Sequence, residues 1–252
     1  MPPSGSRERR RGTRDADGHV ARGPDRAAAL EQYRRRASIY DLELALFEPL
    51  RRRAIAALQL CHGDTVLDVG CGTGLSLPLL RAAVGDTGHV VGIEQSPEMI
   101  GLARRRAAIG SGATVTLANA PVESARIARR ADAALFHFTH DILQRRAAVS
   151  RVLRGLKPGA RIVASGLKWA GGLAIPVNLL VWPAALRSVT TLEGLERPWG
   201  LLEQLAGPLT VDEAWLGAVY IASGRLATTG DGDARGARRA NGVPGTSRNR
   251  RV

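Results

Sequence analysis

Residues 66–74 read VLDVGCGTG, and this stretch decides how the rest of the chain is read. Val66, Leu67 and Val69 give it the apolar character of a buried strand, interrupted by Asp68. Glycines then fall at alternate positions, Gly70, Gly72 and Gly74. Without a Cβ, each lets the backbone pass close to a neighbouring group or ligand. A dinucleotide fingerprint spaces its glycines G-x-G-x-x-G, the last packing the following helix on the strand. The G-x-G-x-G spacing argues against a nicotinamide dinucleotide and for a flat, neutral-to-cationic ligand, not a pyrophosphate held at a helix N-terminus. Glu94 ends the next strand, 20 residues beyond Gly74, where a carboxylate can accept both hydroxyls of a ribose.

Outward from this turn, strand and helix signals alternate, which predicts a parallel sheet covered by helices. Residues 27–59 read as a helical cap, with Leu30, Tyr33, Ala37 and Tyr40 on one face. Strands are expected at 65–70, 89–95, 114–120, 132–140 and 160–167, and helices at 74–84, after the Ser96-Pro97 start, and from Asp141 to Leu153 with Gly155 as the stop. After an insertion, residues 209–216 and 218–226 read as a closing antiparallel pair around Gly217.

The chain has 252 residues, 44% of them hydrophobic, enough for one domain with its own core. Cys61 and Cys71 are too few for a disulfide framework and lack metal-ligand spacing, so no metal is expected. The N-terminus is polar and Arg-rich, without an export signal, and the location expected is cytoplasmic. The net charge of +13 is spread over the chain: residues 1–26 carry seven Arg against four acids, and residues 227–252 six Arg against two. Both ends lack apolar periodicity and read as disordered basic tails around a domain at 27–226. A phosphate-binding protein would concentrate its charge in a patch built into the fold.

Together, VLDVGCGTG, VVGIEQSPEMI and LKPGARIVAS resemble the class I S-adenosylmethionine-dependent methyltransferases over about residues 33–167. The segment YRRRASIYD, from Tyr33 to Asp41, is similar to the first helix of the quinone-biosynthesis branch. The resemblance implies an α/β fold: a seven-stranded, mostly parallel, doubly wound, Rossmann-like sheet whose last strand is antiparallel, with an apolar helical insertion after strand five. It implies S-adenosyl-L-methionine as cofactor. Asp68 would lie near the methionine amino group, with Gly70, Cys71 and Gly72 beside it, and Glu94 would hold the ribose. Gln95, Asn119 and Ala120 would border the adenine, Asn119 standing where the family commonly has Asp, while Tyr33, Tyr40 and Phe136 complete the expected cofactor contacts.

The methyl sulfonium is already electrophilic, so the protein must orient an acceptor and, for many acceptors, remove a proton. The segment FHFTHDIL, 136–143, is where to look. Alternation places His137 and His140 on opposite faces of a strand. His140 at its end would open toward the pocket as general base, with His137 as second candidate, and Asp141 would orient an imidazole or favour the next helix through its dipole. The insertion at 168–208 includes AGGLAIPVNLLVWPAAL, uncharged and broken by Pro176 and Pro183, too short to span a bilayer. It reads as a lid over a small, apolar or aromatic acceptor, or as a peripheral membrane contact. The competing readings are an RNA-modifying methyltransferase that grips phosphates with its Arg-rich ends, and a cofactor-binding protein without turnover.

Overall fold

The computed structural model describes residues 47–169 and 194–227. The tail at 1–26, most of the helical cap, residues 170–193 of the insertion and the other tail beyond Ala227 lie outside the described residues. Their elements in chain order are α1 (Glu48–Ala57), β1 (Thr65–Val69), α2 (Leu77–Val84), β2 (His89–Glu94), α3 (Pro97–Ala107), β3 (Thr114–Asn119), β4 (Ala131–His137), α4 (His140–Leu143), α5 (Arg146–Arg154), β5 (Leu156–Leu167), α6 (Gly200–Ala206), β6 (Leu209–Ala214) and β7 (Val219–Arg225).

The strands form one seven-stranded sheet in the order β3-β2-β1-β4-β5-β7-β6. The first five run parallel, and β7 runs antiparallel between β5 and β6. Alternation along β1 explains the layering. Val66 packs with Leu50, Ala54, Leu80 and Ile100 of α1, α2 and α3, whereas Leu67 and Val69 face Leu143, Val149 and Val152 of α4 and α5. A sheet covered on both faces needs such nearly continuous apolar strands. Asp68 is the exception, and it falls on the α1 side.

Local chemistry sets the boundaries that position the site. At α3, Ser96 Oγ accepts the Met99 N–H at 3.2 Å and Pro97 occupies the first turn. α2 starts at Leu77 instead of 74, because the glycine turn continues through Gly74, whose N–H donates to Cys71 O at 2.9 Å. Gly74 has φ +81°, and a Cβ there would lie 3.1 Å from Ala103 Cα and 2.7 Å from Leu77 Cδ1. The motif's third glycine therefore admits α3. Gly70, at φ +70°, likewise admits Thr139, whose Cγ2 would sit 2.6 Å from an added Cβ.

The largest departure from the sequence reading is at the end of β4. The strand stops at His137, because Phe138 turns to φ +56° and donates its N–H to Ser165 O at 2.8 Å. His140 then opens α4, and the helix expected from Asp141 to Leu153 divides into α4 and α5 around Gln144 and Arg145. Gly155 does end α5, but at φ −82°. A Cβ there would meet Ile127 Cδ1 at 2.7 Å, so a larger residue would make that side chain shift.

Gly74→Ala should destabilise the fold by about 2–4 kcal/mol, combining the left-handed backbone penalty with overpacking against α3. Chemical denaturation of the two proteins side by side measures this. An equal midpoint would show that the turn and α3 relax freely.

Candidate functional site

The strand order reverses between β1 and β4, and at that switch point a cleft opens at the carboxyl ends of the strands, where open α/β sheets bind ligands. Gly70, Gly72, Glu94, Gln95 and Met99 form one wall; Phe138, Thr139, His140, Asp141 and Ile142 form the other. Glu94 is buried and holds two turns at once. Its Oε2 accepts the Gly72 N–H at 3.1 Å and its Oε1 accepts the Ser96 N–H at 2.8 Å. Burial pushes its pKa up, against the pull of backbone N–H groups from Ser96, Gly72 and Gln95. A carboxylate has about four lone-pair sites, so Glu94 keeps accepting capacity for a ligand hydroxyl.

A small cavity adjoins the glycine turn, lined in part by Arg51, Asp68, Cys71, His137 and Phe138. Asp68 is 2% exposed and its Oδ2 has no partner. Its pKa is pushed up to about 7, chiefly by burial; the Arg51 charge opposes the rise and the Glu94 charge adds to it. Arg51 is also 2% exposed: Nη1 pairs with Glu48, while Nε and Nη2 are buried without partners. His137 Nδ1 lies 2.8 Å from Ser165 Oγ, and its Nε2 is buried without a partner. Burial and the Arg51 charge hold this imidazole down to about 3, so it is neutral and weakly basic.

Unmade bonds at buried polar groups cost on the order of 1–3 kcal/mol each. Here an acceptor of cations, two donors to anions and an imidazole nitrogen stand unmet around one space. That set complements a ligand end carrying an ammonium and a carboxylate together, such as the methionine end of S-adenosylmethionine. Glu94 offers acceptors for its ribose, and the residues present fit that cofactor.

The other expected site residues are distributed unevenly. Cys71 is a packing residue whose Sγ would lie 2.9 Å from a Cβ on Gly92; burial, Asp68 and Glu94 push its thiol up. Phe136 is wholly buried in the core, and Phe138 takes the place at the cleft. Asn119 Nδ2 donates to Glu94 O and Gln95 O at 3.0 and 3.1 Å, bracing the turn after β2; neither Asn119 nor Ala120 lines the cleft. His140 and Asp141 lie on the cleft wall in the first turn of α4. Tyr33 and Tyr40 lie outside the described residues.

Sequence reading missed Arg51. Its signal was present, because Leu50, Ala54, Ile55 and Leu58 mark a buried helical stripe that includes position 51.

Comparison with known proteins agrees with this geometry. Residues 66–159 match the family model described as a methyltransferase domain. A protein of Streptomyces fradiae, described as an uncharacterized 37.1 kDa protein in transposon TN4556, is 38% identical over 117 residues, 45% of this chain and 33% of its own. An aklanonic acid methyltransferase of Streptomyces sp. (strain C5) is 40% identical over 72 residues, 28% of this chain and 33% of its own. The chain thus spans about a third of the length of these curated relatives. In fold it is similar to a SAM dependent methyltransferase from Aquifex aeolicus, with TM-score 0.54 and 23% identity over 75% of this chain and 97% of that one. Residues 66–159 thus match a methyltransferase domain, and they lie on a seven-stranded, mostly parallel, Rossmann-like sheet.

The raised pKa of Asp68 has a consequence for stability. Between about pH 4 and pH 7 the unfolded chain ionises this carboxyl and the folded one keeps its proton, so folding loses stability as pH rises through that window. Asp68→Asn should therefore raise the stability of the ligand-free protein at pH 8 by up to about 4 kcal/mol, three pKa units at 1.36 each, and change it little at pH 3.5. Denaturant titrations at the two pH values measure this. A loss of stability at pH 8 would show that Asp68 is ionised and paired in the free protein.

Proposed function

We propose that this chain transfers the methyl group of S-adenosylmethionine to a small, apolar or aromatic acceptor at oxygen, nitrogen or carbon. The observation that carries the reading is the set of unmet buried groups on Arg51, Asp68 and His137, placed beside the glycine turn and Glu94. Arg51 would receive the methionine carboxylate and Asp68 the ammonium, and their opposite charges fix the orientation of that end. Glu94 would take the ribose hydroxyls on its spare lone pairs, while Met99 and Gln95 border the space for the base.

The bound cofactor supplies a methyl group already activated for nucleophilic attack. What remains for the protein is orientation of the acceptor and removal of its proton. His140 stands on the cleft wall for the second task. His137, its conjugate acid held near 3, is suited to binding instead of proton transfer at neutral pH. Phe138 on the cleft wall supports an apolar acceptor, and the YRRRASIYD segment supports kinship with the quinone-biosynthesis branch.

The test is methyl transfer from isotope-labelled S-adenosylmethionine into a cell extract separated into organic-soluble molecules, RNA and protein. Label in the organic fraction supports the reading, and label in RNA replaces the acceptor with a nucleic acid. For the site itself, Arg51→Ala and Glu94→Gln should each weaken S-adenosylmethionine binding at least about tenfold in calorimetry, the cost of one charge-assisted contact. Unchanged affinity in both would remove the assignment.

A further inference from the structure

The glycine turn closes over a buried carboxyl that the fold leaves half unmet. Asp68 is 2% exposed, and its Oδ2 makes no hydrogen bond. The cavity beside it, of about 30 Å³, has room for one small polar group about the size of a water molecule. Gly70, Gly72 and Phe138 line both this cavity and the cofactor cleft, so the two adjoin.

Each element around the cavity presents a group that bears on the charge of Asp68. From α1, Arg51 pairs its Nη1 with Glu48 and forms no ion pair with Asp68, while its Nε and Nη2 stay buried and unpartnered. From the end of β2, Glu94 adds a like charge. The glycine turn supplies the Thr73 and Ser76 hydroxyls and the Cys71 thiol, which burial, Asp68 and Glu94 push up and so keep protonated. β4 supplies His137, kept neutral by burial and the Arg51 charge. A carboxylate shut from water with one oxygen unmet is costly, and the group avoids that cost by keeping its proton. Burial is accordingly the chief cause that pushes Asp68 up to about 7. An ammonium entering the cavity reverses the balance, because an opposite charge in contact favours the ionised carboxyl.

We infer that binding of the cofactor's methionine end is coupled to the loss of one proton from Asp68, so that the site fills as pH rises and empties as it falls. The inference rests on the proposed placement of that end between Arg51 and Asp68, and adds a control on its occupancy. The O–H bond of the Asp68 carboxyl breaks with its electron pair staying on oxygen, the proton leaves to solvent, and the ammonium becomes the partner of the carboxylate. S-adenosylhomocysteine carries the same end, so cofactor and product answer to pH together. Because the ligand selects the ionised form, affinity climbs with pH up to the pKa of the free carboxyl and is level above it.

The experiment is calorimetric titration of the full chain with S-adenosylhomocysteine at pH 6 and pH 8, each in two buffers of different ionisation enthalpy, which counts the protons released. Nearly one proton should leave per ligand bound at pH 6 and about a tenth of one at pH 8, with affinity roughly tenfold weaker at pH 6. Methylthioadenosine keeps the base and ribose but has neither ammonium nor carboxylate. It should bind equally at the two pH values and release no proton, which separates Asp68 from Glu94 at the ribose. Asp68→Asn should bind S-adenosylhomocysteine more weakly than the wild type at pH 8, with one affinity at both pH values and no proton released. Equal wild-type affinity at both pH values with no proton released overturns the coupling alone. Release of the same proton on binding methylthioadenosine, or by Asp68→Asn, overturns it too. The methylthioadenosine comparison uses the wild type, so it stands even where Asp68→Asn does not fold. A wild type that binds no S-adenosylhomocysteine at either pH overturns the placement of the methionine end itself.

Discussion

The carboxylate of Glu94 joins the two turns on which the site is built. One oxygen holds the glycine turn at Gly72 and the other holds the start of α3 at Ser96. The preceding residue does related work with its backbone, since Ile93 O accepts both the Gly70 and Cys71 N–H groups at 2.8 and 3.0 Å. Asn119 braces the same corner from β3. The geometry of the glycine turn is therefore set by the end of β2 as much as by its own sequence. Close approach makes this possible: Gly92 leaves room for Cys71, and Gly74 leaves room for α3. These contacts fix the cleft wall without a ligand, so little ordering remains to be done on binding.

The cavity at Asp68 shows the opposite economy. Stability alone would favour apolar side chains in place of Arg51, Asp68 and His137, because unpaired buried polar groups oppose folding. The fold tolerates them because it is broad: β1 lies between β2 and β4, with helices on both faces. Local cost concentrated at a site and offset elsewhere is the usual sign of function.

Much of the fold was legible because parallel strands buried on both faces leave a strong apolar signal, and Ser96-Pro97 announces a helix start. The end of β4 was not legible. Phe138 adopts a left-handed conformation without glycine or asparagine to signal it, held by its bond to Ser165, a partner far along the chain. Once that turn occurs, alternation no longer relates His137 to His140, and the two histidines part company: one into the deep cavity, the other onto the cleft wall. Asp68, Gly70, Gly72 and Glu94 were readable because their motif is local. Arg51 was not, since its place in the site is defined by Asp68 and His137, which β1 and β4 bring to it. Arg51 was further hidden by Arg52 and Arg53 beside it, which made a buried charge look like part of a solvated run.

The insertion after β5 leaves and rejoins the domain at almost the same point. Trp169 donates its N–H to Leu195 O at 2.9 Å, and Lys168 donates to Ala218 O at 2.9 Å. With both ends fastened to the sheet, the length of chain between them enters stability only logarithmically, about 0.6 kcal/mol for each doubling. The methyltransferase-domain match ends at residue 159, before this junction. The insertion can therefore be exchanged or lengthened at little cost to the closure of the sheet. Such a joint separates the length of the inserted chain from the closure of the sheet.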